Sequence, residues 1–245
     1  MGVELMARIR TWFWLVLIGA FPAAGAADTV VLLHGLGRGP ASMHRMAAAL
    51  ERDGHEVRNV EYASTRDELS VLADAALGPV FAGEDAAGGE GSVHVVTHSM
   101  GGILLRQYLH DHGVPARLGR VVMLGPPNQG SEIVDRLGGW RLFRWINGPS
   151  GARLGTGEAG APSRLGEWPA EVALGVIAGD RTWNPLYSSM IPGADDGKVS
   201  VERTHLTGER DHVVVKASHT WLMWRRAVID QTRTFLREGR FADQP

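Results

Sequence analysis

The stretch Val93-His94-Val95-Val96-Thr97-His98-Ser99-Met100-Gly101-Gly102 constrains the fold of this chain more than any other. Its apolar run, Val93, Val95 and Val96, reads as a buried strand, and Ile103 to His110 reads as a helix. Only a sharp turn fits between them, and Ser99 stands on it. Gly101, two residues on, lets helix and strand come close at that turn. A strand that turns at once into a helix belongs to an open parallel sheet, which carries its sites at the carboxyl ends of its strands.

The rest of the chain repeats the alternation. Strands are expected at Val30 to Leu33, Glu56 to Glu61, Ser92 to Thr97, Arg120 to Leu124, Val172 to Ala178 and Asp211 to Val215. Helices are expected at Ala41 to Arg52, Thr65 to Val80, Met100 to His112 and Trp221 to Arg237. Alternation of this kind predicts an α/β fold, a mostly parallel sheet with helices on both faces. With 245 residues and 44% apolar content the chain can bury one sizeable core. Asn147 to Gly166, rich in Gly, Pro, Ser and Ala and without apolar periodicity, reads as a mobile loop. A net charge of −2 with Lys and Arg scattered gives no electrostatic case for nucleic acid.

The N-terminus reads as a leader. Arg8 and Arg10 precede the short apolar run Trp12 to Ala20, and Ala24-Gly25-Ala26 offers a small-residue cleavage site. Residues 1–26 are thus expected to be a secretory signal peptide and 27–245 a single exported domain, periplasmic or secreted. The alternative is an uncleaved membrane anchor, since Trp12-Phe13-Trp14 thickens the apolar block. The chain has no cysteine, so export would bring no disulfide and the core must supply stability.

Upstream of Ser99, Thr29-Val30-Val31-Leu32-Leu33 runs directly into His34-Gly35-Leu36-Gly37-Arg38. Together with the serine turn, this pair of motifs resembles the α/β-hydrolase superfamily, in its bacterial lipase and esterase branch. The resemblance implies that Ser99 is a nucleophile on a strained elbow. It also implies that the backbone N–H groups of Leu36 and Met100 face the oxyanion, while His34 only orients its loop. Thr97 departs from the usual elbow, which has glycine there.

A serine nucleophile needs a base and an orienting acid, and in this family they follow in the order Ser, acid, His. Gly193-Ala194-Asp195-Asp196-Gly197-Lys198-Val199 is similar to the branch's Asp-Gly-x-Val loop, which by resemblance makes Asp196 the acid. Asp195 beside it and Asp180, directly after a strand, stay open as rivals. Of the later histidines, His219 follows the strand Val213 to Val215 and opens the last helix, where the fold places its base; His212 lies at the wrong end of that strand, and His205 precedes both. His98 should point away from the serine, because side chains alternate along a strand.

Met123-Leu124-Gly125-Pro126-Pro127-Asn128-Gln129-Gly130-Ser131 resembles a turn common in lipase-like hydrolases. Beyond it, a cap or lid is expected over about residues 131–166, with Trp140, Phe143 and Trp145 receiving an acyl chain; a plain amphipathic helix packed on the sheet is the competing reading. The activity implied is hydrolysis of a small-molecule or lipid carboxylic ester through an acyl-enzyme, with transient contact to a lipid surface. Acyl transfer, thioester cleavage on the same triad, and a non-catalytic binding protein on the same fold are the alternatives. No metal or organic cofactor is implied, and Asp195 beside Asp196 does not suffice for a calcium site.

Overall fold

The computed structural model describes residues 28–81, 91–140, 148–182 and 184–243. The expected leader, residues 1–26, lies outside the described residues. Six strands form the sheet: β1 (Thr29–Leu33), β2 (Glu56–Val60), β3 (Val93–His98), β4 (Leu118–Leu124), β5 (Leu174–Gly179) and β6 (Asp211–Val215). Their order is β2-β1-β3-β4-β5-β6, and every neighbouring pair is parallel. The long helices are α1 (His44–Arg52), α2 (Leu69–Phe81), α3 (Met100–His112), α4 (Glu132–Leu137) and α5 (Arg226–Glu238).

Strand alternation divides the core in two. Val31 and Leu33 of β1 pack with α2 and α3 on one face, where Leu77, Ile103 and Leu104 are buried. Val30 and Leu32 pack on the other with Met46 and Leu50 of α1 and Val228 and Phe235 of α5. Covering both faces is why every residue of β1 and β3 is buried and why β1 reads as a nearly continuous apolar run. Phe235 is fully buried, which contributes about 2–3 kcal/mol. Gly175 makes room for it, since a Cβ there would stand 2.7 Å from the Phe235 ring.

Strand order places the site. The chain leaves β1 outward to β2 and then returns past β1 to β3, so winding reverses between these two neighbours. A crevice opens at such a reversal beyond the carboxyl ends of the strands. Leu33 of β1 pairs with Thr97 of β3, which brings the His34–Arg38 turn alongside Ser99.

The helix expected from Thr65 begins only at Leu69, and the one expected from Ala41 opens as a 3-10 turn, Pro40–Met43, before α1; two further elements differ more. The terminal helix is interrupted: a 3-10 helix, His219–Trp224, ends at Arg225 in extended backbone before α5 begins. Trp224 holds the break by donating its Nε1–H to the Ser42 carbonyl at 2.6 Å. The expected loop is also not loose from residue 148 onward. Residues 148–152 make a helical turn, and a one-turn helix follows at Ala161–Arg164. Ser150 is fully buried and donates its hydroxyl to the Asp67 carbonyl at 2.7 Å. Long-range hydrogen bonds replace the missing apolar periodicity. No helix among the described residues is long and apolar enough to cross a membrane.

Candidate active site

Ser99 is the only non-glycine residue with a positive φ among the described residues, at φ 55° and ψ −122°. Holding a side chain there costs about 1–3 kcal/mol, which the surrounding packing must supply. Two glycines make that packing tight enough. A Cβ on Gly101 would come within 2.8 Å of the Leu33 carbonyl oxygen, so only glycine lets α3 sit this close to β1. A Cβ on Gly102 would lie 3.2 Å from Thr97 Oγ1. The space missing at Thr97, where the usual motif has glycine, is therefore returned by a second glycine on the helix.

The Ser99 hydroxyl lies 2.8 Å from His219 Nε2, and His219 Nδ1 lies 2.7 Å from Asp196 Oδ2. The imidazole and carboxylate are almost wholly buried, at 4% and 1% side-chain exposure, so water does not compete for their hydrogen bond. Asp196 Oδ1 accepts from the N–H groups of Lys198 and Val199 at 3.0 and 2.9 Å, which turns its other oxygen toward the ring. The Asp-Gly turn thus aims a carboxylate as well as reversing the chain. Gly125, at φ 55°, lies under the pair: a Cβ there would be 3.1 Å from Asp196 Oδ2 and 3.3 Å from His219 Nδ1.

The rival acids and bases are engaged elsewhere. Asp195 accepts from the Ser188 hydroxyl and from the Gly197 N–H at 2.7 Å. Asp180 sits 3.8 Å from Arg181. His212 bonds Thr204 Oγ1 at 2.9 Å and stacks on His205, and burial with that neighbour pushes its pKa down to about 4. His205 itself pairs with Glu209.

His98 corrects the alternation argument. It lines the same cavity as Ser99, and its Nε2–H donates to the His219 carbonyl at 3.0 Å. The strand's alternation ends at the strained serine turn, so a rule that holds through Thr97 does not predict how the ring lies relative to Ser99. Burial holds His98 neutral, well below the usual imidazole value, and the neighbouring His219 adds to the effect.

On the facing turn, His34 is buried and stacked on Tyr62 at 4.1 Å, and the Tyr62 hydroxyl donates to the His34 carbonyl. The Gly37 N–H donates to Ser64 Oγ at 3.0 Å. Leu36 between them lines the cavity, and its N–H has no backbone acceptor among the described residues. Met100 is the first residue of α3, where N–H groups lack intrahelical partners.

The cavity has a volume of about 290 Å³. Its apolar wall is Leu36, Pro127, Ile133, Val134 and Leu154. Trp140, expected in that wall, is not among the lining residues and is 66% exposed. Helix α4 stops at Leu137, and Trp140 follows the turn at its outer end. Phe143 and Trp145 lie outside the described residues.

The sequence model of the alpha/beta hydrolase fold matches residues 28–153, just over half of the chain. The chain belongs to the alpha/beta hydrolase family. No curated protein matches it in sequence. Among solved structures this hydrolase fold is similar to a mature lipase of Bacillus licheniformis, with TM-score 0.63 and 18% identity over 87% of this chain and 92% of that one. It is similar to a metagenomic carboxyl esterase, with TM-score 0.61 and 18% identity over 87% and 74% of the two chains. A third is phospholipase PlaB from Legionella pneumophila, with TM-score 0.61 and 18% identity over 79% of this chain and 53% of that one. At such identity the likeness is one of fold.

Three residues of this hydrolase had no warning in its periodicity. Arg38 and Lys198 both line the cavity beside Ser99. Burial pushes both cations down, and for Lys198 the nearby Arg38 adds to it while Asp196 opposes it. Each directly follows a motif, His34-Gly35-Leu36-Gly37 and Asp196-Gly197, which was the available signal. Arg106, only 4% exposed on α3, donates to the carbonyls of Asn128, Pro162 and Gly166 at 2.8, 3.0 and 2.8 Å. It ties the turn after β4 to the far wall. Among the described residues no cluster of His, Asp or Glu could hold a metal ion.

Proposed function

We propose that this chain is a serine hydrolase that cleaves carboxylic esters through an acyl-enzyme on Ser99, with His219 as base and Asp196 as its orienting acid. One observation carries the reading: the unbroken hydrogen-bonded series from Asp196 through His219 to a serine held at positive φ. Ser99 Oγ attacks the ester carbonyl carbon and its proton passes to His219 Nε2. The carbon–oxygen bond to the alcohol breaks, and His219 returns the proton to the leaving oxygen. Water then attacks the acyl-enzyme, its proton again going to His219, and Ser99 is released with the acid. Asp196 holds the ring tautomer in which Nδ1 carries the proton and stabilises the imidazolium.

The negative charge on the tetrahedral oxygen falls to the Leu36 and Met100 N–H groups. Two preorganised donors in a site walled by apolar side chains are worth several kcal/mol, roughly 3–4 for one donor. A cavity of about 290 Å³ accommodates a short or medium acyl chain against Ile133, Val134 and Leu154. His98, kept neutral by burial, leaves His219 as the ring that gains charge during turnover.

A fluorophosphonate probe and a p-nitrophenyl butyrate assay test the reading together. The wild-type chain should label and turn over. Ser99→Ala should stop labelling and lower kcat by at least about 10³-fold while the circular dichroism spectrum is unchanged. Near-normal hydrolysis in a folded Ser99→Ala variant would remove Ser99 from the role.

A further inference from the structure

We propose that the ester taken by this site carries an anionic group on its alcohol portion, laid in a cationic trough that leads away from His219. The inference rests on Ser99 as nucleophile and goes further, to substrate class. The acyl cavity shares Tyr187, Lys198 and His219 with a small pocket also lined by Thr182, Asn184, Ser218 and Thr220. That pocket in turn shares Thr182, Ser218 and Thr220 with a groove of about 890 Å³. The three spaces lie in series, with His219 lining the first two.

The two arms of this series differ in chemistry. One is walled by Ile133, Val134 and Leu154, with Arg38 and Lys198 beside the serine. The other starts from Lys198, shared with the small pocket, and continues to Arg181, Lys216 and Arg225 in the groove. Among the described lining residues the only carboxylate is that of Asp196, which is 2% exposed and bonded to His219. Arg181 has Asp180 at 3.8 Å, whereas Arg38, Lys198, Lys216 and Arg225 have no ion-pair partner among the described residues. Trp221, 41% exposed, forms an apolar rim to the groove.

Exposed cations on a protein surface are ordinarily just solvated. Two features set these apart. The chain as a whole carries a formal charge of −2, so a run of cations here is a local departure from the average. Arg38 and Lys198 also line the cavity beside the reacting serine, where Asp196, the carboxylate near Lys198, is already bonded to His219 and an anionic ligand would offset the repulsion between the two cations. An acyl chain needs the apolar arm, which leaves the cationic arm for the leaving alcohol. A phosphate- or carboxylate-bearing alcohol fits that arm by charge and would pair with Lys198 first.

Matched soluble esters test this. The probes are dibutyrylglycerol and dibutyrylglycerol 3-phosphate, both monomeric, with a second arm of long-chain phosphatidate in vesicles against phosphatidylcholine vesicles. The wild-type ratio of kcat/KM, phosphate ester over neutral ester, should be about tenfold or more at low salt, carried mainly by KM, and should fall in about 0.5 M NaCl. The triple variant Lys198→Gln, Lys216→Gln, Arg225→Gln should bring the ratio to about one, and Lys198→Arg, Lys216→Arg, Arg225→Lys should restore it. A preference with the soluble pair supports a free anionic ester as substrate; a preference only in vesicles supports an anionic lipid headgroup. The proposal is overturned if wild-type protein hydrolyses the neutral esters through Ser99 with a ratio at or below one in both the soluble and the vesicle arm, or if charge removal leaves the preference unchanged. If the triple variant does not fold, the salt dependence of the wild-type ratio decides. No hydrolysis of any ester together with no fluorophosphonate labelling would instead overturn the ester reading itself.

Discussion

The serine turn and the far wall of its cavity are held in opposite ways. From Thr97 to Gly102, residues that are close in sequence make the geometry: Ser99 takes the strained φ, and Gly101 and Gly102 let α3 approach β1 and Thr97. In the wall, residues 131–140 and 148–166, each piece is tied to a distant partner. Ser150 reaches the Asp67 carbonyl, Arg106 reaches the Pro162 and Gly166 carbonyls, and the Ser131 hydroxyl reaches the Lys198 carbonyl at 2.8 Å. Local backbone strain thus positions the Ser99 oxygen, and long-range hydrogen bonds shape the space around it. Damage to the turn should remove rate, and damage to the wall should remove stability.

The sharpest test of that division is on the rate side. His219→Ala should cost turnover about as much as Ser99→Ala, at least about 10³-fold, because nucleophile and base act as one unit. His212→Ala should cost less than about tenfold on the same short-chain ester, since its ring bonds Thr204 and stacks on His205 away from the serine. A dead His212 variant would break the comparison.

Next in size is the acid. Asp196→Asn should lower kcat by about 10²–10³-fold, by favouring the wrong imidazole tautomer. Asp180→Asn should leave kcat within about threefold, as a group outside the series would. Steady-state kinetics on both variants reads the difference.

On the stability side, Arg106→Met should lower the unfolding free energy by about 2–4 kcal/mol. Its removal leaves the buried carbonyls of Asn128, Pro162 and Gly166 short of donors. Urea denaturation measures it, and the folded fraction should keep kcat within about tenfold. A large loss of kcat with no loss of stability would put Arg106 on the rate side and erase the contrast.

The smallest effect is on pH dependence. His212 is held down to about 4 and His98 well below the usual imidazole value, both by burial. As pH falls below about 6.5, the unfolded chain takes up protons at these positions before the folded one does. Their contribution is therefore complete above that pH and is lost as pH drops toward 4. The urea midpoint should fall between pH 7 and pH 5, and the fall should be smaller in His212→Gln. His205, stacked on the ring, and the adjacent Asp211 are the charged neighbours that modulate it.

Much of the fold is legible in the sequence. The expected β6 and α3 have the bounds found, Asp211–Val215 and Met100–His112, and α3 is bounded by the serine turn and by Gly113 at φ 80°. The misreadings share one cause. The 148–166 segment lacks periodicity, since its order comes from Ser150, Arg106 and the close approach of Gly148 to Thr65. The break at Arg225 depends on Trp224 reaching Ser42. His98 was sent the wrong way by a strand rule applied at the strand's last residue.

By itself the sequence determined a parallel α/β sheet and a serine on a sharp turn at the carboxyl end of a strand. Those features follow from neighbours two to four positions apart, where chain geometry leaves few choices. Tertiary structure decided which of three aspartates meets which of three histidines, and it brought Arg38 and Lys198 to one cavity and Arg181, Lys216 and Arg225 to a second groove. Along the chain these cations look scattered. A parallel sheet brings the loops after its strands to one edge, so charges that are remote in sequence become neighbours only once the sheet has formed.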